Sequence, residues 1–281
     1  MSVVSRVEIN KLEQKAAELR ILILKMIEKS GSGHIGGSYS CLEILIALYN
    51  KIMKHDNKNP DWEKRDRLVL SKGHAESALY AVLCSAGYYP VDYTETMRKI
   101  GCPLQGHPCA KWLKGVDYST GSLGQGLSFG VGQALSGKKQ GFNVFVVVGD
   151  GELQEGQIWE AAIFAPKYEL NNLTVFIDCN KFQLESPTQV TGDMERLGSM
   201  WSSLGWDVIQ VDGHSFEGII SSCCKKQDKP RVILASTIKG KGVSFMENNN
   251  EYHGKSLSNE EIQAAYSELL HKYNELLKEK E

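Results

Sequence analysis

The sequence of 281 residues lacks both an excess of charge and a long hydrophobic run. A formal net charge of −2 offers no basic surface for nucleic acid. No apolar run reaches the roughly eighteen residues that a membrane span requires, and the N-terminus shows no signal-peptide pattern. We therefore expect a cytoplasmic protein that binds neither nucleic acid nor membrane.

Several familiar motifs are also missing. The seven cysteines form no CxxC pair, which favours reduced thiols over a disulfide framework. The seven histidines show no HxxxH spacing, which argues against a zinc site. No GxGxxG follows a strand-like run with an acid about twenty residues further on, which argues against a dinucleotide site. The absences leave a soluble globular enzyme as the expected class.

Strand-like and helix-like patterns alternate along the chain. Apolar runs predict strands at 67–71, 143–148, 173–178, 207–211 and 231–237. Helical patterns occupy 12–29, 41–52, 75–86, 124–136, 153–169 and 215–224. This alternation predicts an α/β fold, a doubly wound, mainly parallel sheet with helices on both faces. Segment 256–281 is predicted as a terminal amphipathic helix that begins with a capping box of Ser258 and Glu261.

The stretch GDGELQEG (149–156) follows one of the predicted buried strands. Asp150 places negative charge where a helix start usually welcomes an anion, so by itself it is either a helix cap or part of a cation site. Asn180 follows the next predicted strand thirty residues later. A carboxylate and an amide oxygen at two strand ends suit a Mg²⁺ ion that bridges to phosphates. Gly149 and Gly151 would let the backbone approach those phosphates closely.

GDG with an asparagine about thirty residues later resembles the motif of thiamine-diphosphate enzymes. Five further stretches resemble transketolases in the same order: SGSGHIGGSYS (30–40), KRDRLVLSKGHAESALYAVL (64–83), GHP (106–108), STGSLGQGLSFGVG (119–132) and IKGKGVSFMENNNEYHGK (238–255). The resemblance implies a thiamine-diphosphate-binding fold and the cofactors thiamine diphosphate and Mg²⁺. It also implies that residues 1–281 form a single diphosphate-binding domain.

The resemblance gives roles to four histidines, which we predict to be catalytic. His34 and His107 would contact substrate hydroxyls, His74 would lie near both diphosphate and substrate, and His253 would serve the diphosphate and proton transfer. Imidazole suits these tasks because it can donate and accept protons near neutral pH. The remaining histidines, His55, His214 and His271, lack such motifs, so we expect structural or surface roles for them.

The predicted cofactor-binding residues are His74, Gly121, Ser122, Leu123, Gly149, Asp150, Gly151, Asn180, Lys239 and His253. The predicted Mg²⁺ ligands are Asp150, Asn180 and the carbonyl of Phe182. Glu155 and Glu160 match glutamates that lie at the subunit interface of transketolases and link their active sites. Two residues depart from the family pattern: Ile35 replaces a proline, and Gly37 replaces a hydroxyl residue of some relatives. These departures put in doubt one diphosphate contact and the fine shape of the donor pocket, but not the metal site.

The resemblance covers the N-terminal half of an ordinary transketolase. It implies transfer of a two-carbon ketol unit from a ketose phosphate to an aldose phosphate, a reaction of the pentose phosphate pathway. The pyrimidine-binding domain and the activating glutamate belong to the other half. We therefore expect this chain to be inactive without a C-terminal partner subunit, and we expect a heterotetramer.

Other functions stay open at this point. One is a transketolase-like enzyme with another donor or acceptor, either sulfosugar-cleaving or dihydroxyacetone-forming. LSKGHA and GDGELQEG count against a deoxyxylulose-phosphate synthase and against one chain of a 2-oxo-acid dehydrogenase. The remaining alternative is a non-catalytic, cofactor-binding subunit, which the motif histidines argue against.

Overall fold

The computed structural model describes residues 4–184, 186–188 and 193–278. The strands are β1 (Arg67–Leu70), β2 (Val144–Gly149), β3 (Leu173–Cys179), β4 (Asp207–Asp212) and β5 (Arg231–Ser236). The α-helices are α1 (Arg6–Ser30), α2 (Ile35–Ser40), α3 (Leu42–Ala47), α4 (Glu76–Ser85), α5 (Gln125–Gln140), α6 (Gly156–Lys167), α7 (Met194–Ser203), α8 (Phe216–Cys224) and α9 (Asn259–Lys278).

The strands form one sheet in the order β1-β2-β3-β5-β4, and every neighbouring pair is parallel. Parallel strands place all of their carboxyl ends at one edge, so residues that follow different strands meet there. This arrangement confirms the predicted doubly wound, parallel α/β fold.

Helices cover both faces of the sheet, and β2 shows why its sequence reads as continuous valine. Val144, Val146 and Val148 pack into the core beneath α5, α6 and α7. The alternate residues Phe145 and Val147 pack into the opposite core, beneath α1 to α4, α8 and α9. A strand that is buried on both faces has no solvent side and therefore needs no polar alternation.

The predicted strands lie within one residue of the observed bounds, whereas the helices differ more. The predicted helix 41–52 is α3 followed by a π-helical turn at Leu48–Ile52. The predicted helix 153–169 begins at Gly156, because Glu155 has an extended backbone after a 3₁₀ turn at Gly151–Gln154. Helices α2 and α7 were not predicted: α2 contains two adjacent glycines, and α7 buries only Leu197, Gly198 and Trp201.

The terminal helix α9 begins as its sequence indicates. The backbone N–H of Ser258 donates to the Glu261 carboxylate at 2.8 Å, and the N–H of Glu261 donates to Ser258 Oγ at 3.2 Å. The predicted capping box is therefore confirmed. The helix ends at Lys278, and 279–281 of the predicted segment lie outside the described residues. Across the described ranges, no helix combines the length and apolarity that crossing a membrane requires.

Candidate active site

The carboxyl ends of β2 and β3 lie side by side. Gly149 pairs with Asp178, and the backbone N–H of Asp150 donates to the Asp178 carbonyl at 3.2 Å. Asp150 and Asn180 therefore leave the sheet at adjacent points. The thirty-residue spacing of the sequence corresponds to one helix and one return strand, as expected for a strand–helix–strand unit.

The Asp150 carboxylate is buried at this edge, with 1% of the residue exposed. It accepts hydrogen bonds from the N–H groups of Gly151 at 2.8 Å and Lys181 at 2.6 Å, and from Thr188 Oγ1 at 3.2 Å. Burial, with a further contribution from the charge of Asp178, raises the pKa of Asp150 to about 7. A bound divalent cation would favour the ionised form, so this carboxylate fits a metal site. Asp150 also caps the 3₁₀ turn that follows, as one of its two sequence interpretations expected, and its part in a cation site stays a prediction.

Asn180 and Phe182 lie on the turn that follows β3. Lys181 between them has a left-handed backbone with φ of 70°, which directs its N–H back towards Asp150. Asn180 is 5% exposed, and its side-chain oxygen accepts from the Phe182 N–H at 3.1 Å. An amide oxygen and nearby backbone carbonyls are hard donors of the kind Mg²⁺ accepts. The three residues predicted as metal ligands thus come together, and their binding of Mg²⁺ stays a prediction.

A cavity of about 490 Å³ opens above these strand ends. All but two of the residues that the sequence singles out as catalytic, cofactor-binding or metal-binding line it: His34, His74, Gly121, Leu123, Gly149, Asp150, Gly151, Asn180, Phe182, Lys239 and His253. Their motifs are spread over more than two hundred residues of chain, and the fold brings them to one place.

Three imidazoles form a cluster in the cavity wall. The ring centroids of His34, His74 and His253 lie 5.2–5.5 Å apart. Burial, assisted by neighbouring positive charges, lowers the pKa of His34 to about 4 and that of His253 to about 3. The pKa of His74 is also well below its usual value, chiefly because of burial. All three rings are therefore neutral at pH 7, so each ring offers one N–H donor and one acceptor nitrogen.

The other two predicted residues lie beside the cavity rather than in its lining. The His107 ring packs against Gly121, where an added Cβ would lie 3.4 Å from its Cδ2 atom. Burial, followed by the charge of Arg98, lowers the pKa of His107. Ser122 is exposed next to the lining residues Gly121 and Leu123.

Lys239 brings a buried cation to the cavity, with 1% of the residue exposed. Its ammonium donates to Asn250 Oδ1 at 2.6 Å and to His253 Nδ1 at 3.0 Å. Because an ammonium group can only donate, Nδ1 of neutral His253 is the acceptor and Nε2 carries the proton. Burial, together with the charge of Lys72, lowers the pKa of Lys239 to about 8. The group is still charged at pH 7, and a nearby anion would favour that form further, which makes this a natural position for a phosphate group.

Beneath the cavity, Lys72 and Asp178 form a buried ion pair that was not predicted from the sequence. Asp178 is fully buried, and Lys72 is 1% exposed. The Lys72 ammonium also donates to the carbonyl of Gly37 at 3.0 Å, and a Cβ added to Gly37 would lie 3.6 Å from it. The position where relatives carry a hydroxyl is therefore next to a lysine ammonium. The sequence signal that could have indicated this pair was a charged residue at the carboxyl end of each of two predicted strands, β1 and β3.

Glu152 is a second residue that sequence reasoning passed over. Its carboxylate, 2% exposed, accepts from the N–H groups of Gly124 at 2.8 Å and Gly149 at 3.1 Å, and from Ser71 Oγ at 2.5 Å. It thereby ties three separate motifs together beneath the cavity. Glu155 and Glu160, which the sequence analysis did single out, are exposed, and Glu155 reaches the cavity wall.

A second missed pair, Glu76 and Arg98, lies behind His34. Glu76 has no exposed surface, and one of its carboxylate oxygens accepts from Arg98 Nη2 at 2.7 Å. Its other oxygen lies 4.0 Å from His34 Nδ1 and has no hydrogen-bond partner among the described residues. Burial raises the pKa of Glu76 to about 7.

The histidines outside the motifs lie elsewhere. His55 hydrogen-bonds to the carbonyl of Tyr49 at 2.7 Å, and His271 forms an exposed pair with Glu275 on α9. His214 hydrogen-bonds to Glu43 at 3.0 Å behind the cavity. The structure therefore agrees with the structural and surface roles expected for them.

Comparison with known proteins identifies the transketolase family over nearly the whole chain, in agreement with the motifs. Residues 12–277 match the family model described as transketolase, thiamine diphosphate binding domain. The chain is 44% identical over 263 residues to the 6-deoxy-6-sulfo-D-fructose transketolase subunit of Clostridium sp., with 92% of this chain and 96% of that protein covered. It is 37% identical over 277 residues to an apulose-4-phosphate transketolase subunit of Phocaeicola vulgatus, with 97% and 98% covered.

Longer transketolases match over part of their length. Human transketolase is 37% identical over 265 residues, which are 92% of this chain and 42% of the human protein. The crystal structure of transketolase from Campylobacter jejuni superposes with a TM-score of 0.84 at 30% identity, over 95% of this chain and 45% of that one. Transketolase from Pichia stipitis gives a TM-score of 0.85 at 28% identity, over 95% and 44%. This chain therefore belongs to the transketolase family and corresponds to its thiamine-diphosphate-binding domain.

Proposed function

We propose that this chain is the cofactor-binding subunit of a two-chain, thiamine-diphosphate- and Mg²⁺-dependent transketolase. The observation that carries the proposal is the shared cavity, where a buried carboxylate, a buried lysine and three neutral histidines converge. A purely scaffolding subunit would need none of these buried titratable groups, and burying them costs free energy.

The residues present fit the proposed cofactor. Asp150, Asn180 and the Phe182 carbonyl would hold Mg²⁺, and the metal would offset the buried charge of Asp150. Lys239, with His74 and His253, would complement the diphosphate. The Gly121–Leu123 turn would lie against the thiazolium ring. Bound thiamine diphosphate supplies the carbanion that attacks a ketose carbonyl, and the protein contributes position and electrostatics.

Two histidines would orient the sugar. His34 lines the cavity, and His107 lies beside it against Gly121. Since the pKa of each is lowered, both rings are neutral at pH 7 and can accept from one hydroxyl while donating to another. Removing either ring should weaken sugar binding or turnover more than cofactor binding.

We further propose a partner chain that carries the pyrimidine-binding domain and the activating glutamate. The relatives from Clostridium and Phocaeicola are named as subunits, whereas this chain spans 42% of human transketolase. A complex of two copies of each chain, in the cytoplasm, is the expected assembly.

The sugar substrates form a second question. The similarity to a 6-deoxy-6-sulfo-D-fructose transketolase subunit favours a sulfosugar donor as the alternative to an ordinary ketose phosphate. The similarity to subunits of apulose-4-phosphate transketolases adds a branched sugar phosphate to the candidates.

The test compares the purified chain with the chain mixed with its co-purified partner. Ketol transfer should be absent from the chain alone and appear in the mixture, with Asp150→Ala as the inactive, folded control. Full activity of the chain alone would refute the two-chain arrangement. A panel of xylulose 5-phosphate, 6-deoxy-6-sulfofructose and apulose 4-phosphate then identifies the donor, and inactivity of the mixture with all three would refute the proposed reaction.

A further inference from the structure

A cluster of buried polar side chains lies behind the cofactor cavity, on the far side of the turn that carries Lys239. It consists of Arg20 from α1, Glu43 from α3 and His214 from the loop after β4, and we call these residues the anchoring triad. Arg20 is 6% exposed, Glu43 is 5% exposed, and the His214 side chain is 13% exposed. Polar groups buried to this degree require specific partners.

The hydrogen bonds of His214 define its protonation. Nε2 lies 2.9 Å from the backbone N–H of Ile238 and must accept from it, because that N–H can only donate. The proton of the neutral ring is therefore on Nδ1, which donates to Glu43 at 3.0 Å. His214 thus links a backbone donor of the turn to a buried carboxylate.

The remaining bonds of the triad reach the other end of the same turn. The second oxygen of Glu43 accepts from Arg20 Nη2 at 2.6 Å. Arg20 Nε in turn donates to the carbonyl of Lys241 at 2.8 Å. The segment 238–241 is therefore held at its first residue by His214 and at its last residue by Arg20.

The conformation of this turn decides where Lys239 points. Gly240 has a left-handed backbone with φ of 76°, and an added Cβ would lie 2.3 Å from the carbonyl oxygen of Met246. Gly240 also donates its N–H to the carbonyl of Gly36 at 3.0 Å. The turn is therefore tight. Its apolar residue Ile238 is half-buried and belongs to neither hydrophobic core, so hydrogen bonds contribute much of what sets the position of the turn.

We propose that His214 is a positioning residue for diphosphate binding: through its hydrogen bond to Ile238, with Glu43 and Arg20 behind it, it holds the turn that presents Lys239 to the cavity. This inference rests on the proposed function, because it takes the diphosphate as the ligand of Lys239. It gives a role at the site to a histidine that lies outside the family motifs and outside the cavity lining.

Two substitutions separate the two bonds of His214. In His214→Gln the amide oxygen reaches the place of Nε2 and can still accept from Ile238. In His214→Asn the shorter amide reaches only the place of Nδ1, so the bond to Glu43 can persist while the bond to Ile238 is lost. The matched control is His55→Asn, which removes the part-buried hydrogen bond between His55 Nε2 and the Tyr49 carbonyl, away from the turn.

The first readout is amide hydrogen exchange of the full chain, which needs no ligand. His214→Asn should accelerate exchange at Ile238 about tenfold, equivalent to about 1.4 kcal/mol, relative to the core amide of Val146. His214→Gln and His55→Asn should match the wild type. Unchanged exchange at Ile238 in His214→Asn would overturn the anchor.

The second readout is the dissociation constant of thiamine diphosphate with Mg²⁺, measured on the assembled protein. His214→Asn should raise it several-fold, and Lys239→Met should raise it at least as much. If Lys239→Met weakens binding and His214→Asn does not, the positioning role is wrong while the proposed function stands. If Lys239→Met has no effect, the proposed contact between Lys239 and the diphosphate is wrong. In that case the role proposed for His214 is also wrong, even if exchange at Ile238 is faster in His214→Asn.

Discussion

Replacing Asp150 by asparagine should stabilise the protein in the absence of a divalent cation. Its carboxyl has a pKa raised from 3.8 to about 7 by burial and by the charge of Asp178. A shift of roughly three units corresponds to about 4 kcal/mol of unfavourable free energy once the group is ionised. Asparagine keeps the shape, and with its NH2 group in the place of Oδ1 it loses only the hydrogen bond accepted from the Gly151 N–H, which costs about 1 kcal/mol. The expected gain is therefore about 3 kcal/mol at pH 8.

The sign of the pH dependence follows from the raised pKa. Below about pH 4 the carboxyl is protonated in both the folded and the unfolded states, so it contributes no penalty. Between about pH 4 and pH 7 the unfolded chain ionises while the folded protein holds its proton, so the stability of the wild type falls. Above that window the full penalty remains. Asp150→Asn should therefore be slightly less stable than the wild type at pH 4, because of the lost hydrogen bond, and should have its largest advantage at pH 8.

Thermal unfolding in a chelator measures this difference. For a chain of this size we expect a Tm increase of about 6 °C for Asp150→Asn at pH 8. Addition of Mg²⁺ with thiamine diphosphate should then raise the Tm of the wild type but not that of the variant. The matched control is Asp117→Asn, which removes a buried carboxylate bonded to Arg65 and to the Leu68 N–H, and it should lower the Tm. An equal or lower Tm for Asp150→Asn at pH 8 would refute the claim that the buried, ionised Asp150 carboxylate destabilises the protein when no cation is bound.

Three further changes test other parts of the molecule. His107→Ala should raise KM or lower kcat of the assembled enzyme with little change in cofactor affinity, and the reverse pattern would assign the ring to the cofactor. Glu152→Gln should weaken the link between the Gly124 and Gly149 turns and lower cofactor affinity, measured by titration; unchanged affinity would show that the turns hold themselves. Ser258→Ala removes one half of the capping box and should cost about 1 kcal/mol in denaturant unfolding, and no loss would mean that α9 is held by packing alone.

The strands and the motif residues were accessible to sequence reasoning for physical reasons. A parallel strand that is covered on both faces must be apolar along its whole length. The runs NVFVVV and LTVFID can therefore be recognised as strands from the sequence. Asp150 and Asn180 could be paired because the carboxyl ends of successive parallel strands share one edge. Helix α7 was not predicted because few of its residues are buried, which leaves a weak apolar pattern. Helix α2 was not predicted because paired glycines usually indicate a loop.

Sequence alone determined the α/β class, the family and the residues on which any cofactor site must be built, because these depend on local periodicity and on motifs of a few residues. Tertiary structure decided the strand order and the long-range pairs. Lys72 and Asp178 are separated by 106 positions, and His214 lies 171 positions from Glu43. A charged side chain carries no local sign of its distant partner. Only the packed fold shows which charged groups are buried together. That burial shifts the pKa values of Asp150, the motif histidines and Lys239.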